Sequence, residues 1–135
     1  MNIDIIDIKT ITTEKEGQLS FFEADKDFDF DIKRIYYITK VSEGVKRGAH
    51  AHKNLKQLIW CPIGSVKIYL DNIREKREII LDNPAKGLVI KESVWRDMLW
   101  LKSDSVLCVA ASDYYDADDY IRDYDEFIKY AGGVI

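Results

Sequence analysis

Residues 65–81 constrain the fold more tightly than any other stretch. Val66, Ile68 and Leu70 alternate with Lys67 and Tyr69, Asp71-Asn72 interrupts, and an apolar run returns through Ile79, Ile80 and Leu81. Alternation with period 2 belongs to β-strands, whose successive side chains leave on opposite faces, and the interruption is turn chemistry. Similar apolar segments occupy 3–11, 18–23, 32–41, 55–61, 88–90, 98–101 and 106–111. Between them stand Ser42-Glu43-Gly44, Pro62-Ile63-Gly64 and Asn83-Pro84-Ala85-Lys86-Gly87. About nine or ten short strands spaced in this way specify an all-β chain, a sandwich or jelly-roll barrel. Residues 74–77 fit helix or strand. Residues 120–130 alone read as a helix, with Tyr120, Tyr124, Phe127 and Ile128 on one face and Gly132-Gly133 as its stop. The expectation is one domain over residues 1–135.

Composition narrows the function classes. A net charge of −4 argues against a nucleic-acid partner, so an anionic ligand must be met by local cations. No apolar run is long enough to span a bilayer, and Met1-Asn2-Ile3-Asp4 lacks the pattern of a signal peptide. Cys61 and Cys108 lie in apolar runs and read as buried free thiols rather than a disulfide. A cytoplasmic protein without membrane contact is expected.

Both histidines of the chain fall in Arg47-Gly48-Ala49-His50-Ala51-His52-Lys53. On a strand they point to the same face. They are either a pair on an exposed edge, or imidazoles meeting a ligand beside the cations Lys46, Arg47 and Lys53. The spacing Gly44, His50-x-His52, Gln57, Gly64 matches the first cupin motif, a glycine-bounded hairpin that carries metal ligands, with Gln57 where that motif has Glu. The histidine of the second motif is missing, for Glu92-Ser93-Val94-Trp95-Arg96-Asp97-Met98 holds none. Two imidazoles, an amide and the charge of Arg96 make a poor metal site, and Asp97 is the carboxylate that could still complete a two-histidine-one-carboxylate set. No metal and no cofactor are expected; a metal-dependent oxygenase is the alternative. Without a metal, a neutral imidazole can take a proton from carbon next to a carbonyl. A guanidinium from Arg47, Arg96 or Arg122 can stabilise the resulting oxyanion.

Four segments together are specific: Ile32-Lys33-Arg34-Ile35-Tyr36-Tyr37-Ile38, the histidine segment, Ala111-Ser112-Asp113-Tyr114-Tyr115-Asp116, and Asp119-Tyr120-Ile121-Arg122-Asp123-Tyr124-Asp125. Through them the chain resembles the dTDP-4-keto-6-deoxy-D-glucose 3,4-ketoisomerases, small WxcM-like cupins of deoxyamino-sugar pathways. The resemblance implies a metal-free homodimeric jelly roll that moves the ketone of a thymidine-diphosphate sugar from C4 to C3 through an enediol. It implies His50 as base, His52 beside the sugar and Arg122 as an active-site hydrogen-bond partner, although Arg122 also reads as a helix-surface cation paired with Asp119 or Asp125. The resemblance departs at Glu16, where the family has Tyr or Arg, and at Arg96-Asp97, where it often has His-Glu. These positions face the sugar in the family and vary with product configuration at C4, for which gluco is preferred here over galacto. A sugar-nucleotide binder without catalysis is the remaining alternative. The segment 3–11 precedes the cupin core and needs a sheet edge, and the resemblance implies its exchange between subunits.

Arg34, Arg47 and Lys53 are the candidates for the diphosphate, along with Lys33. Alternation puts Tyr36 on the face of Arg34 and Tyr37 on the other. It also puts Arg47 with Ala49 and Ala51, opposite His50 and His52, unless the strand begins after Gly48. Trp60 and Trp100 read as core residues.

Overall fold

The computed structural model describes residues 1–132; Gly133 of the expected helix stop lies outside them. The strands are β1 (Ile3–Asp7), β2 (Lys9–Thr13), β3 (Gly17–Phe21), β4 (Arg34–Ile38), β5 (Lys46–His52), β6 (Gln57–Ile63), β7 (Val66–Asp71), β8 (Lys76–Leu81), β9 (Lys86–Ile90), β10 (Trp95–Trp100), β11 (Val106–Ala111) and β12 (Tyr120–Ile121). A short 3-10 helix (Ala117–Asp119) precedes β12, and one α-helix among the described residues, α1 (Tyr124–Gly132), follows it.

Two five-stranded sheets, ordered β1-β9-β6-β11-β4 and β12-β5-β10-β7-β8, form a cupin-type jelly roll. All their pairings are antiparallel. Alternation supplies the core between them. Ile59, Leu88, Ile90, Leu107 and Val109 come from the first sheet, and Val66, Ile68, Leu70, Met98 and Trp100 from the second. The outer face of the first sheet is also apolar, and Phe22, Phe28 and Phe30 close over Leu58, Val89, Ala110 and Trp60. Trp60 and Trp100 are therefore packing residues, Trp60 against Phe22 at 4.7 Å between ring centroids and Trp100 fully buried. Cys61 and Cys108 are free thiols.

Two expectations need correction, and one ambiguity is resolved. Residues 3–11 are not one strand: Ile8 is buried, its N–H donates to the Ala85 carbonyl at 2.7 Å, and β2 turns away to pair with β3 in a separate hairpin. Tyr120 is not helical. It lies with Ile121 in β12, paired to His52 and Ala51 at the edge of β5, where a β-branched and an aromatic residue fit a strand. The helix starts later because Asp123 caps it, its Oδ1 accepting from the N–H groups of Asp125 and Glu126. Phe127 then anchors the helix on Trp95, Ala51 and Ile121. Finally, residues 76–81 settle as strand, with the turn before them held by Asn72 Oδ1 accepting from Arg74 and Glu75 N–H.

Candidate active site

A bulge sets the geometry of the histidine strand. His50 stands opposite Arg96 and Gly48 opposite Asp97, so Ala49 is an extra residue with no partner on β10. Gly48 at φ +104° and Ala49 at φ +55° absorb the kink. A Cβ on Gly48 would come within 3.2 Å of the Arg96 carbonyl oxygen, which favours glycine there a second time. The inserted residue reverses parity. Arg47 pairs with Met98 and His50 with Arg96, two residues of β10 that share a face, so Arg47 and His50 point the same way. Simple alternation, which set Arg47 against the histidines, fails here for that reason.

These side chains open onto a cleft of about 340 Å³. Arg34, Tyr36 and Ile38 line it from β4, Arg47 and His50 from β5, Met98 from β10, and Tyr115, Tyr120 and Arg122 from the C-terminal segment. Tyr37, on the other face of β4, is exposed, as alternation requires. Arg122 is not on a helix; it follows β12 and its guanidinium lies 4.2 Å from the Tyr120 ring centre. Arg34 stacks between Tyr36 and Tyr115, at 5.3 and 5.8 Å, and its Nε and Nη2 are buried with no hydrogen-bond partner among the described residues.

His52 lies a layer deeper than expected. It is fully buried, 4.9 Å from the His50 ring and 4.4 Å from Tyr120 between centroids. Its Nδ1 meets Asp119 Oδ2 at 2.9 Å. Asp119 is itself fixed, Oδ1 accepting from Asn54 N–H at 2.8 Å and Oδ2 from Leu55 N–H at 3.3 Å. A carboxylate at Nδ1 places the ring proton there and leaves Nε2 as an unprotonated acceptor. Burial lowers the pKa of His50 to about 4, helped by the charge of Arg96. Burial, then Arg96 and His50, push His52 down as well. Both imidazoles are therefore neutral at pH 7.

Behind them Arg96 is buried at 1% exposure. Its Nη1 donates to Gln57 Oε1 at 2.5 Å and its Nη2 to the Val94 carbonyl at 3.0 Å. Burial lowers its pKa to about 10, so it stays charged. Gln57 Nε2 in turn donates to Tyr36 Oη at 3.1 Å.

Five expected site residues do not line the cleft: His52 and Arg96 are buried behind it, and Asp97, Lys53 and Glu16 lie elsewhere. Asp97 alternates with Arg96 and so faces the opposite side of β10, into a groove with Lys46, Tyr69, Trp95 and Tyr124; it cannot complete a metal set with the histidines. Lys53 follows His52 past the end of β5 and is not among the cleft-lining residues; its N–H bonds the Asp119 carbonyl at 2.9 Å. Glu16 is exposed in the turn between β2 and β3. Conversely, the anchoring carboxylate Asp119 and the cleft residue Tyr120 carried no separate sequence signal. In the sequence Asp119 reads as a partner of Arg122 and Tyr120 as part of a helical face, and neither reading points to the cleft.

A jelly roll that holds two neutral imidazoles beside an unneutralised guanidinium defines a cupin-type protein equipped for acid–base chemistry. The model of the WxcM-like, C-terminal family matches residues 1–132, and the chain belongs to that family. It is 45% identical over 130 residues to the TDP-4-oxo-6-deoxy-alpha-D-glucose-3,4-oxoisomerase of Aneurinibacillus thermoaerophilus, covering 96% of this chain and 93% of that one. The crystal structure of QdtA, a sugar 3,4-ketoisomerase from Thermoanaerobacterium thermosaccharolyticum in complex with TDP, is similar with a TM-score of 0.93 and 46% identity over 97% of this chain and 95% of that one. WlaRB, a TDP-quinovose 3,4-ketoisomerase from Campylobacter jejuni, gives a TM-score of 0.89 at 41% identity, covering 95% and 98%.

Proposed function

We propose that the chain is a 3,4-ketoisomerase of dTDP-4-keto-6-deoxy-D-glucose, a cytoplasmic enzyme that supplies the 3-keto sugar for amination in a deoxyamino-sugar pathway. The observation that carries this is the pairing of a cleft-facing neutral imidazole, His50, with the buried charge of Arg96. The relatives named as 3,4-ketoisomerases supply the substrate class. His50 removes the proton on C3, the C3–H electron pair becomes the C3=C4 double bond, and the carbonyl pair moves onto O4. The O3 proton passes to O4, O3 becomes the carbonyl, and a proton returns to C4; in the gluco product that hydrogen lies on the ring face opposite the one that lost the C3 proton, so solvent or a second group delivers it. His52, held by Asp119, fixes His50 edge-on from behind. Arg96 lowers the energy of the enediolate through space. Arg34, whose Nε and Nη2 are unpartnered among the described residues, Arg47 and Arg122 are suited to the diphosphate and sugar oxygens. The gluco configuration of the product is favoured by likeness to a TDP-quinovose enzyme, quinovose being 6-deoxyglucose.

The working form is a homodimer. β1 already pairs with β9 of its own chain, so the exchanged part is the β2–β3 hairpin. Ile11 and Leu19, opposite each other on it, are 55% and 62% exposed, and edge strand β4 exposes Ile35 and Tyr37. Glu16, at the tip of this hairpin, then reaches a sugar in the partner's cleft rather than its own. Turnover of dTDP-4-keto-6-deoxyglucose tests the reading; binding without turnover would leave a sugar-nucleotide binder in its place.

A further inference from the structure

Gln57 is buried at 1% exposure, and both ends of its amide are engaged. Oε1 accepts from Arg96 Nη1 at 2.5 Å, and Nε2 donates to Tyr36 Oη at 3.1 Å. A carboxylate in this place could accept from Arg96 but could not donate to Tyr36. Among the described residues, Arg96 has no carboxylate as a hydrogen-bond or ion-pair partner; its other bond runs to the Val94 carbonyl at 3.0 Å. Its charge is thus passed on rather than cancelled. Tyr36 lines the cleft beside His50. With the Gln57 N–H occupying the acceptor side of the phenol, the phenolic O–H is left to donate, and the cleft is the open direction.

We infer that Gln57 is a positioning residue for the isomerisation: its amide carries the pull of the buried Arg96 guanidinium to Tyr36 Oη, so that the Tyr36 hydroxyl donates to the substrate oxygen that turns negative in the enediolate. The inference rests on the isomerase reading. In the first step His50 takes the C3 proton, the electron pair ends on O4, and Tyr36 holds O4 by a hydrogen bond while keeping its own proton. A chain of hydrogen bonds in a buried, low-dielectric site polarises each member, so the last donor is strongest when charge develops in front of it.

The test is steady-state turnover of dTDP-4-keto-6-deoxyglucose by Tyr36→Phe, Gln57→Glu and the double variant, with dTDP binding by calorimetry alongside. In Gln57→Glu the phenol turns its O–H to the new carboxylate and away from the cleft. Each single variant is expected to lose ~10–10³-fold in kcat, with KM and dTDP affinity within about threefold of wild type. The double variant is expected to be no worse than the poorer single one, because both remove the same donor. Multiplying losses, or a kcat unchanged in Tyr36→Phe, would overturn the relay. Should Gln57→Glu fail to fold, Tyr36→Phe decides alone, since it removes one oxygen: loss in kcat at constant KM supports the relay and wild-type kcat refutes it. An inactive wild-type chain is a different result, which contradicts the isomerase reading and the relay with it.

Discussion

His50 carries the catalytic argument, and its environment fixes how it responds to pH. Its ordinary value of 6.5 falls to about 4 in the folded chain, through burial first and the charge of Arg96 second. The imidazole therefore stays unprotonated well below neutrality. kcat/KM is expected to remain level from pH 8 through 6.5 and to decline only as pH approaches 4; an acid limb centred at 6.5 would contradict this placement of His50. Stability follows the same group with a definite sign. The unfolded chain takes up a proton below pH 6.5 and the folded chain does not until about 4, so stability is complete above 6.5 and erodes as pH falls between these values. The loss from His50 amounts to roughly 3 kcal/mol, readable as a falling urea midpoint. His50→Asn should reduce that dependence without abolishing it, because burial holds His52 down as well, and should cost ~10²–10⁴-fold in rate while leaving dTDP binding in place.

The decisive element is the bulged strand β5. The bulge brings Arg47 onto the face of His50, and Gly48 makes it possible. Gly48→Val places a β-branched residue at positive φ with its Cβ against the Arg96 carbonyl. It is expected to cost about 1–3 kcal/mol by thermal melting and to weaken dTDP binding as Arg47 swings away. A variant with wild-type stability and affinity would show that the bulge does not set the site. The sequence made the strands legible because period-2 alternation and turn residues are local signals. Arg34 and Tyr36 on one face of β4, with Tyr37 on the other, followed from alternation alone. Arg47 did not, because a one-residue bulge has no alternation of its own. Tyr120 reads as helical from sequence because Tyr120, Tyr124, Phe127 and Ile128 fit a helical face, and only the open edge of β5 draws Tyr120 into a strand. Asp119 could not be found from spacing, since it meets His52 across 67 residues of chain.

At the scale of the whole molecule, the β2–β3 hairpin stands apart from both sheets and exposes the Ile11–Leu19 pair. Light scattering at micromolar concentration should give a dimer. Leu19→Asp should shift it toward monomer, because a charge replaces an exposed apolar side chain on the hairpin proposed to exchange. A wild-type monomer would remove the route by which Glu16 reaches a sugar, and would leave that residue as an exposed turn position.

The central claim is that His50 takes the C3 proton of a 4-keto sugar nucleotide and so opens the shift of its ketone from C4 to C3. Proton NMR of dTDP-4-keto-6-deoxyglucose with the wild-type chain in deuterium oxide follows both carbons at once. The account predicts loss of the C3 proton signal, growth of a 3-keto product with hydrogen or deuterium at C4, and neither change with His50→Asn. Unchanged signals at C3 and C4 in the presence of folded, dTDP-binding wild-type protein would contradict it.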